Sequence, residues 1–433
     1  MKAFFLILTV LLSTHSFSQK TQKIYTSDID NFWTAYDSVQ QVSDFSKKIN
    51  LINKLYIDKG TKGLKAFMET RQYNDTLWVE LIEKYPKFWN SIRANTLSVK
   101  KKTADFEKVI ENLKRLYPEL KDAEMYFTIG GLRSGGTVKG NMVLIGAEIA
   151  TGDYLTDVSE FKNNWLKNVF AEQSLDNITS LNIHEYIHTQ QNEGKGSMLL
   201  NQCISEGSCD FITELVMQNT LQRKYLSYGN EHEKKIKESF KKEMFSSDFS
   251  NWLYNGDQKE ESADLGYYIG YEICKAYYNQ SKDKKKAIKE IIELDYGNTK
   301  AVENFLSKFK FYPEKINKKK IIEEYSKNQP FIVEINPSIN DNNDVNPDLK
   351  ELRVTFSKEM MPKNYSISFS EKGKDYFPLT GVKGFENNDK TMVMNVGLKP
   401  NKEYEFVITN RSFKSKDGYP LKETTYTIKF KTK

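Results

Sequence analysis

His184-Glu185-Tyr186-Ile187-His188 is an HExxH pentapeptide. Two histidines four apart on a helix lie on one face, one turn above the other, so both imidazoles can reach a single metal ion. Glu185 then stands beside the metal's open position, where it can take a proton from zinc-bound water, whose pKa falls to roughly 7 on coordination. The pattern predicts a zinc-dependent hydrolase, with His184 and His188 as ligands and Glu185 as general base. The plain alternative is a pair of surface histidines flanking a glutamate.

Context favours the metal. The sequence has four histidines, and one of them, His15, falls in an amino-terminal leader. Of the remaining three, two stand in this spacing. Asp176-Asn177 and then Ile178-Thr179-Ser180-Leu181 supply cap residues followed by an apolar residue, as a helix start should. Eighteen positions after His188, Glu206 opens a second predicted helix, in which Glu206, Asp210 and Glu214 recur at intervals of four and share a face. Glu206 is the expected third zinc ligand. Asp210, one turn on, is the expected partner for the distal nitrogen of a ligand histidine, fixing its tautomer. The bland reading of the same stripe is a solvated acidic face.

This arrangement resembles the gluzincin metallopeptidases, in which HExxH is followed by a helix carrying a glutamate ligand and an aspartate four residues later. More closely it is similar to a bacterial family of zinc-dependent proteases of unknown substrate, related to some gliding-motility proteins. The resemblance spans roughly residues 25 to 325. It is carried by Asp30-Asn31-Phe32-Trp33, the glycine-rich Ile129 to Thr137, Gly146-Ala147-Glu148, HExxH, Glu206 to Asp210, and Gly266-Tyr267-Tyr268-Ile269-Gly270-Tyr271. It implies Zn2+ on His184, His188 and Glu206 with Glu185 as base. The sequence departs from the pattern in having no lipoprotein cysteine near its start and in placing Cys209 where a small residue is expected.

At 433 residues the chain has room for two or three domains and a sizeable core. Residues 1 to 18 read as a secretion signal: Lys2, the apolar run Ala3 to Leu12, then Ser16-Phe17-Ser18 before Gln19. That run is too short to span a membrane, and no other stretch approaches transmembrane length. The formal charge of +6 is spread over lysine-rich helices such as Glu233 to Lys237 and Lys282 to Lys286. These read as solvated faces rather than a nucleic-acid patch, which would need concentrated basic residues with stacking aromatics. Cys203, Cys209 and Cys274 form no disulfide framework and are expected as buried thiols.

The first hundred mature residues are helical in pattern: Phe32, Trp33, Tyr36 and Val39, then Phe45 to Tyr56, Leu64 to Tyr73, Leu77 to Tyr85 and Phe88 to Leu97. Glu124 to Ile129 and Asn141 to Ile149 read as two strands of a hairpin joined by the glycine-rich segment Gly130 to Gly140. Because gluzincins pair an edge strand with bound peptide, this hairpin is the expected substrate rail. Glu148, close to it, is a candidate holder of a substrate's amino terminus. An oxyanion donor is also needed, typically worth ~3 kcal/mol. His232, in a charged stretch, reads as solvated, so Tyr267 or Tyr268 is the expected donor, with Gly266 and Gly270 letting that segment pack close to the catalytic helices.

Beyond Asn328-Gln329-Pro330 strands and turns take over: Phe331 to Ile335, Leu352 to Phe356, Ser366 to Phe369, Thr391 to Val396, Tyr404 to Thr409 and Thr425 to Phe430. About a hundred residues in some seven short strands suit an immunoglobulin-like sandwich. Val354 to Met360 and Leu398 to Tyr404 resemble the bacterial Ig-like domains appended to exported proteins, mostly spacers or docking units. The polar run Asn340 to Asp344 lacks the glycine and terminal glutamate of an EF-hand and reads as a plain loop.

The expected fold is thus α+β: a mostly helical zincin-like metallopeptidase domain with a small edge sheet, then an all-β Ig-like sandwich. Its parts are a signal peptide at 1–18, a gluzincin-like domain at 19–326 (helical part 25–120, catalytic part 121–326) and an Ig-like domain at 327–433. The expected function is an exported, periplasmic or extracellular zinc peptidase, endopeptidase or aminopeptidase, acting on a peptide or protein substrate. The alternative is a catalytically silent zinc-binding or motility- and adhesion-associated scaffold of the same fold, docking through the Ig-like domain.

Overall fold

Amphipathic stretches punctuated by caps set the amino-terminal architecture. The computed structural model describes residues 23–162, 164–192, 194–256 and 262–433, so the expected signal peptide lies outside the described residues. The fold divides into two units, one up to Gln190 and one from Gln191.

In the first unit a short strand β1 (Ile24–Tyr25) leads into α1 (Ser27–Gln40), α2 (Phe45–Ile52), α3 (Lys62–Arg71), α4 (Asp75–Lys84), α5 (Pro86–Ser98) and α6 (Thr103–Leu116). Each start has a local cause. The Asp44, Thr61 and Asn74 side chains accept the first-turn amides of α2, α3 and α4, and Pro86 sits in the first turn of α5. The apolar faces meet in an aromatic core of Phe32, Trp33, Tyr56, Trp78 and Trp89, all 2 % exposed or less. Every indole N–H there donates: Trp33 to the Thr96 hydroxyl at 2.9 Å, Trp78 to the Gly130 carbonyl at 2.9 Å and Trp89 to the Leu81 carbonyl at 2.9 Å. Buried Asp28 ties α1 to the start of α3, accepting from the Thr61 amide at 2.9 Å and its hydroxyl at 2.5 Å.

A four-stranded sheet follows, from β2 (Glu124–Thr128), β3 (Gly136–Lys139) and β4 (Met142–Gly146), in the order β1-β2-β4-β3. The two strands read from the sequence are both present, but they do not form a hairpin. β2 and β4 are parallel neighbours, Glu124 opposite Met142 and Thr128 opposite Gly146. The glycine-rich connection supplies its own strand, β3, which folds back antiparallel on β4 and becomes the outermost strand. The reason is geometric: parallel neighbours cannot be joined by a tight turn, so the connection crosses over. α7 (Ala147–Ala150), α8 (Asn164–Glu172) and α9 (Ile178–His188) complete the unit.

The second unit opens with α10 (Leu199–Met217), α11 (Lys224–Glu231), α12 (Glu233–Glu243), α13 (Leu265–Gln280), α14 (Lys284–Ile292), α15 (Thr299–Ser307) and α16 (Lys318–Asn328). α10 and α13 approach backbone to backbone. A Cβ on Gly270 would strike the Cys203 carbonyl, and one on Gly207 would strike the chain at Gly270 and Tyr271. The lysines of α14 at 284–286 are exposed, as a solvated face requires. Cys203, Cys209 and Cys274 are buried, and no disulfide joins them.

Seven strands end the chain: β5 (Ile332–Asn336), β6 (Glu351–Phe356), β7 (Ile367–Phe369), β8 (Leu379–Glu386), β9 (Thr391–Val396), β10 (Glu403–Thr409) and β11 (Thr425–Lys431). They form antiparallel sheets β5-β6-β9-β8 and β11-β10-β7 over one core that includes Val354, Phe356, Met394, Phe406 and Ile428. β6 alternates buried and half-buried residues along its length, as a sandwich strand should. This sandwich is docked on the helices of its own unit. Lys414 is 8 % exposed, donates to the Asn251 side-chain oxygen at 2.9 Å and pairs with Asp248 at 2.9 Å. Asn251 in turn donates to the Gly418 carbonyl at 3.0 Å, and Tyr419 meets Tyr325 of α16. Among the described residues no helix is long and apolar enough to cross a membrane.

Candidate metal centre

The HExxH segment forms the last turns of α9, as its spacing predicts. Ser174 caps a single 3-10 turn at Leu175–Asn177, and α9 continues from it, with Ile178, Ile183, Tyr186 and Ile187 buried. His184 and His188 lie on successive turns with ring centroids 4.9 Å apart and planes at 80°. His184 is 8 % exposed and His188 half-buried. Glu185 is half-buried on the neighbouring face and lies against the first residue of β3: a Cβ on Gly136 would sit 3.2 Å from its Cγ. Glycine at 136 is what lets the edge strand pass over this carboxylate. Two imidazoles stacked along one helix face can share a metal ion.

In the second unit, two members of the acidic stripe of α10, Glu206 and Asp210, are buried and the third, Glu214, is half-buried; each meets a tyrosine hydroxyl. Glu206, 3 % exposed, accepts from Tyr254 at 3.0 Å and from the Lys195 ammonium at 2.6 Å, both on Oε1. Asp210, 1 % exposed, accepts from Tyr225 at 2.5 Å. Glu214 accepts from Tyr271 at 2.5 Å and from the Leu221 amide at 3.0 Å. Burial pushes the Tyr225, Tyr254 and Tyr271 hydroxyls well above the ordinary phenol range, and the adjoining carboxylates push them the same way, so all three stay protonated donors.

Of the two tyrosines expected near the metal, α13 turns one toward Glu206 and one away. Tyr267 lies between Tyr225 and Tyr254, with ring centroids 5.5 and 6.5 Å away, and burial followed by the Glu206 charge raises its pKa. Tyr268 packs its ring on Gly229 of α11, with Glu272 and Glu233 as its charged neighbours, and its hydroxyl is buried without a partner. Of the three tyrosines that touch the acids, only Tyr271 belongs to a motif of the sequence; Tyr225 and Tyr254 carry no such signal. Tyr254 carries a backbone signal instead of a sequence one: it is a non-glycine residue at φ 58. Beside it, the Asp264 amide donates to the Asn255 side-chain oxygen at 2.8 Å and the Asn255 amide to the Asp264 carboxylate at 3.3 Å.

Glu148 and His232 are committed elsewhere. Glu148 is fully buried on α7 and accepts from the Gly130 amide at 2.8 Å and the Leu132 amide at 3.2 Å. It organises the glycine-rich loop and does not present a carboxylate to a ligand amine. His232 stacks on Tyr228 with centroids 4.2 Å apart, its Nδ1 3.0 Å from the Tyr228 carbonyl.

Comparison with known proteins decides the family. Residues 14–313, more than half of the chain, match the model of the gliding motility protein GldB. The chain belongs to the GldB family. Residues 326–432 match a bacterial Ig-like domain, in agreement with the sandwich. No curated protein matches the chain. Among solved structures, it is similar to CopC from Methylosinus trichosporium OB3b (20 % identity, 24 % of this chain and 93 % of that chain, TM-score 0.20). It is also similar to the amino-terminal part of the bacterial S-layer protein SbsC (12 % identity, 93 % and 71 %, TM-score 0.17).

GldB membership overturns the gluzincin expectation. The family is one of motility proteins, not of peptidases, and with it go the zinc metallopeptidase assignment and the hydrolase chemistry read onto Glu185, Tyr267 and Tyr268. The physical reason the motif misled is that HExxH spacing guarantees only two imidazoles on one helix face. Water activation needs an accessible third side of the metal and a donor for the oxyanion, which spacing does not encode.

Proposed function

We propose that this GldB-family chain is a non-catalytic, motility-associated scaffold of the cell envelope that holds a zinc ion on α9. The single observation that carries the scaffold reading is the match of residues 14–313 to a gliding motility family. His184 and His188, on successive turns of α9, are the proposed ligands. What supports the zinc is the pair of imidazoles on successive turns, 4.9 Å apart. A structural zinc contributes to folding directly. The Ig-like module is the proposed docking unit for a protein partner.

The test is complementation in the parent bacterium. A deletion strain is expected to lose surface spreading and to regain it fully with either the wild type or Glu185→Gln. A Glu185→Gln protein that is exported and folded yet fails to restore spreading would return the chemistry to Glu185 and sink the scaffold reading. Metal analysis of purified protein is expected to find one zinc in the wild type and none in a His184→Ala/His188→Ala variant.

A further inference from the structure

We propose that a cleft in the second unit, between α15, the start of α16 and the turn that follows α12, binds a long-chain aliphatic carboxylate. Its apolar chain would lie on an aromatic floor and its carboxylate on two rim lysines. The site uses none of the residues proposed to hold zinc.

The cleft encloses about 540 Å3, within the range of roughly 300–1,000 Å3 typical of small-molecule sites. Leu200, Leu306 and Phe311 are buried in its walls, and Phe245, Phe309 and Ile316 are half-buried along it. These walls are held from behind. The amide and carbonyl of Lys310 pair with the Gln280 side chain at 3.1 and 3.2 Å, and the Tyr312 hydroxyl donates to the Lys237 carbonyl at 3.3 Å. The Leu199 and Leu200 amides donate to the Ser246 and Met244 carbonyls at 2.8 and 3.0 Å, which fixes the turn carrying Phe245 against the start of α10. Phe309 backs onto Phe305 and Tyr277, with ring centroids 5.8 and 5.4 Å away. Rings held this way keep the space between them open, so an apolar chain gains burial there without first ordering the protein.

The charges around the cleft set the sign of its ligand. Glu303, Lys310, Glu314, Lys315 and Lys318 line it. Both acids are already neutralised: Glu303 pairs with Lys318 at 2.5 Å, and Glu314 pairs with Lys241 from α12. Lys310 and Lys315 are exposed and pair with no carboxylate among the described residues. An apolar interior with two unmatched cations on its rim is the complement of an amphipathic anion. A peptide fits less well, because the amide and carbonyl of Lys310 are already spent on Gln280 and offer no ladder to a second backbone. An aliphatic chain asks for no hydrogen bonds along its length.

Isothermal titration of the full chain tests this with two probes of equal chain length and opposite head charge, dodecanoate and dodecyltrimethylammonium, both kept below micelle formation. The wild type is expected to bind dodecanoate saturably and to prefer it to the ammonium by about tenfold or more. Lys310→Glu/Lys315→Glu should weaken dodecanoate about tenfold, two exposed ion contacts being lost and reversed, and should tighten the ammonium. Ser307→Trp, which places a ring at the cleft, should weaken dodecanoate about tenfold or more, and Ile316→Asp is run beside it so that failure of one variant to fold leaves the other to decide. No saturable uptake of dodecanoate by the folded wild type would overturn the proposal. So would folded cleft variants that bind dodecanoate like the wild type, or a rim reversal that leaves the preference between the two heads unchanged. Binding to phosphatidylglycerol vesicles without uptake of monomeric dodecanoate would replace the cleft site with a membrane-facing surface.

Discussion

Glu148→Gln should rewrite the pH dependence of stability. The Glu148 carboxyl is fully buried. Desolvation raises its pKa from 4.5 to about 7, against the opposing pull of the Gly130 and Leu132 amides. The folded state therefore binds a proton more tightly than the unfolded chain. The resulting stabilisation is fully present below pH 4.5 and is lost as pH rises through about 7. At about 1.4 kcal/mol per unit the whole effect is about 3 kcal/mol, of which about 2.5 kcal/mol falls between about pH 5 and pH 8. Glutamine cannot ionise, so the difference between wild type and Glu148→Gln isolates this one group. Its single carbonyl oxygen serves one of the two amides, and the other faces an NH2. The variant should accordingly be less stable than the wild type by about 1–2 kcal/mol at low pH and draw level or better above neutrality. Urea unfolding at a series of pH values reads this directly, and Trp78, whose indole donates to the Gly130 carbonyl, is a reporter beside the site. A stability difference that stays flat to within about 0.5 kcal/mol from about pH 5 to pH 8 would refute the reasoning.

Other substitutions probe the packing. Gly270→Ala should cost about 3 kcal/mol or more, because its methyl would strike the Cys203 carbonyl where α10 and α13 touch. Chemical denaturation near wild type would show that the helices can part freely. Lys414→Met leaves Asp248 without its cation and should cost about 3 kcal/mol, read as a lower urea midpoint for the second unit; an unchanged midpoint counts against a structural role. Tyr225→Phe removes the donor to Asp210 and should cost about 1.5–3 kcal/mol, whereas Tyr268→Phe removes a hydroxyl with no partner and should be neutral or stabilising. Equal effects of the two in thermal unfolding would contradict the assigned partners.

Much of the fold was legible because its signals are local. The aromatic residues at 32, 33 and 36 announce α1, HExxH announces α9, and the four-residue acid spacing announces α10. What escaped is carried by contacts distant in sequence. The segment Gly136–Lys139 contains one apolar residue and reads as loop until β4 gives it a partner. β8 is hidden because Gly381 and Gly384 interrupt its pattern at two register shifts, on a strand at the sheet's edge. The acid stripe is legible, but two of its tyrosine donors are not: Tyr254 lies 48 positions from Glu206, and Tyr225 lies 15 from Asp210 on another helix. The chemistry was over-read for a different reason. A spacing rule describes where ligands can stand, and a family that keeps the spacing need not keep the reaction.

The Lys414 junction makes the carboxy-terminal sandwich a lever rather than a bead on a string. Only three residues separate the end of α16 at Asn328 from the start of β5 at Ile332. The hairpin that carries Lys414, Gly418 and Tyr419 clamps the sandwich to the 248–251 turn and to α16. A pull on the sandwich would travel through that clamp into the helices of the same unit without first taking up slack. For a protein of a motility family, that is the difference between a handle that transmits load and a tether that absorbs it.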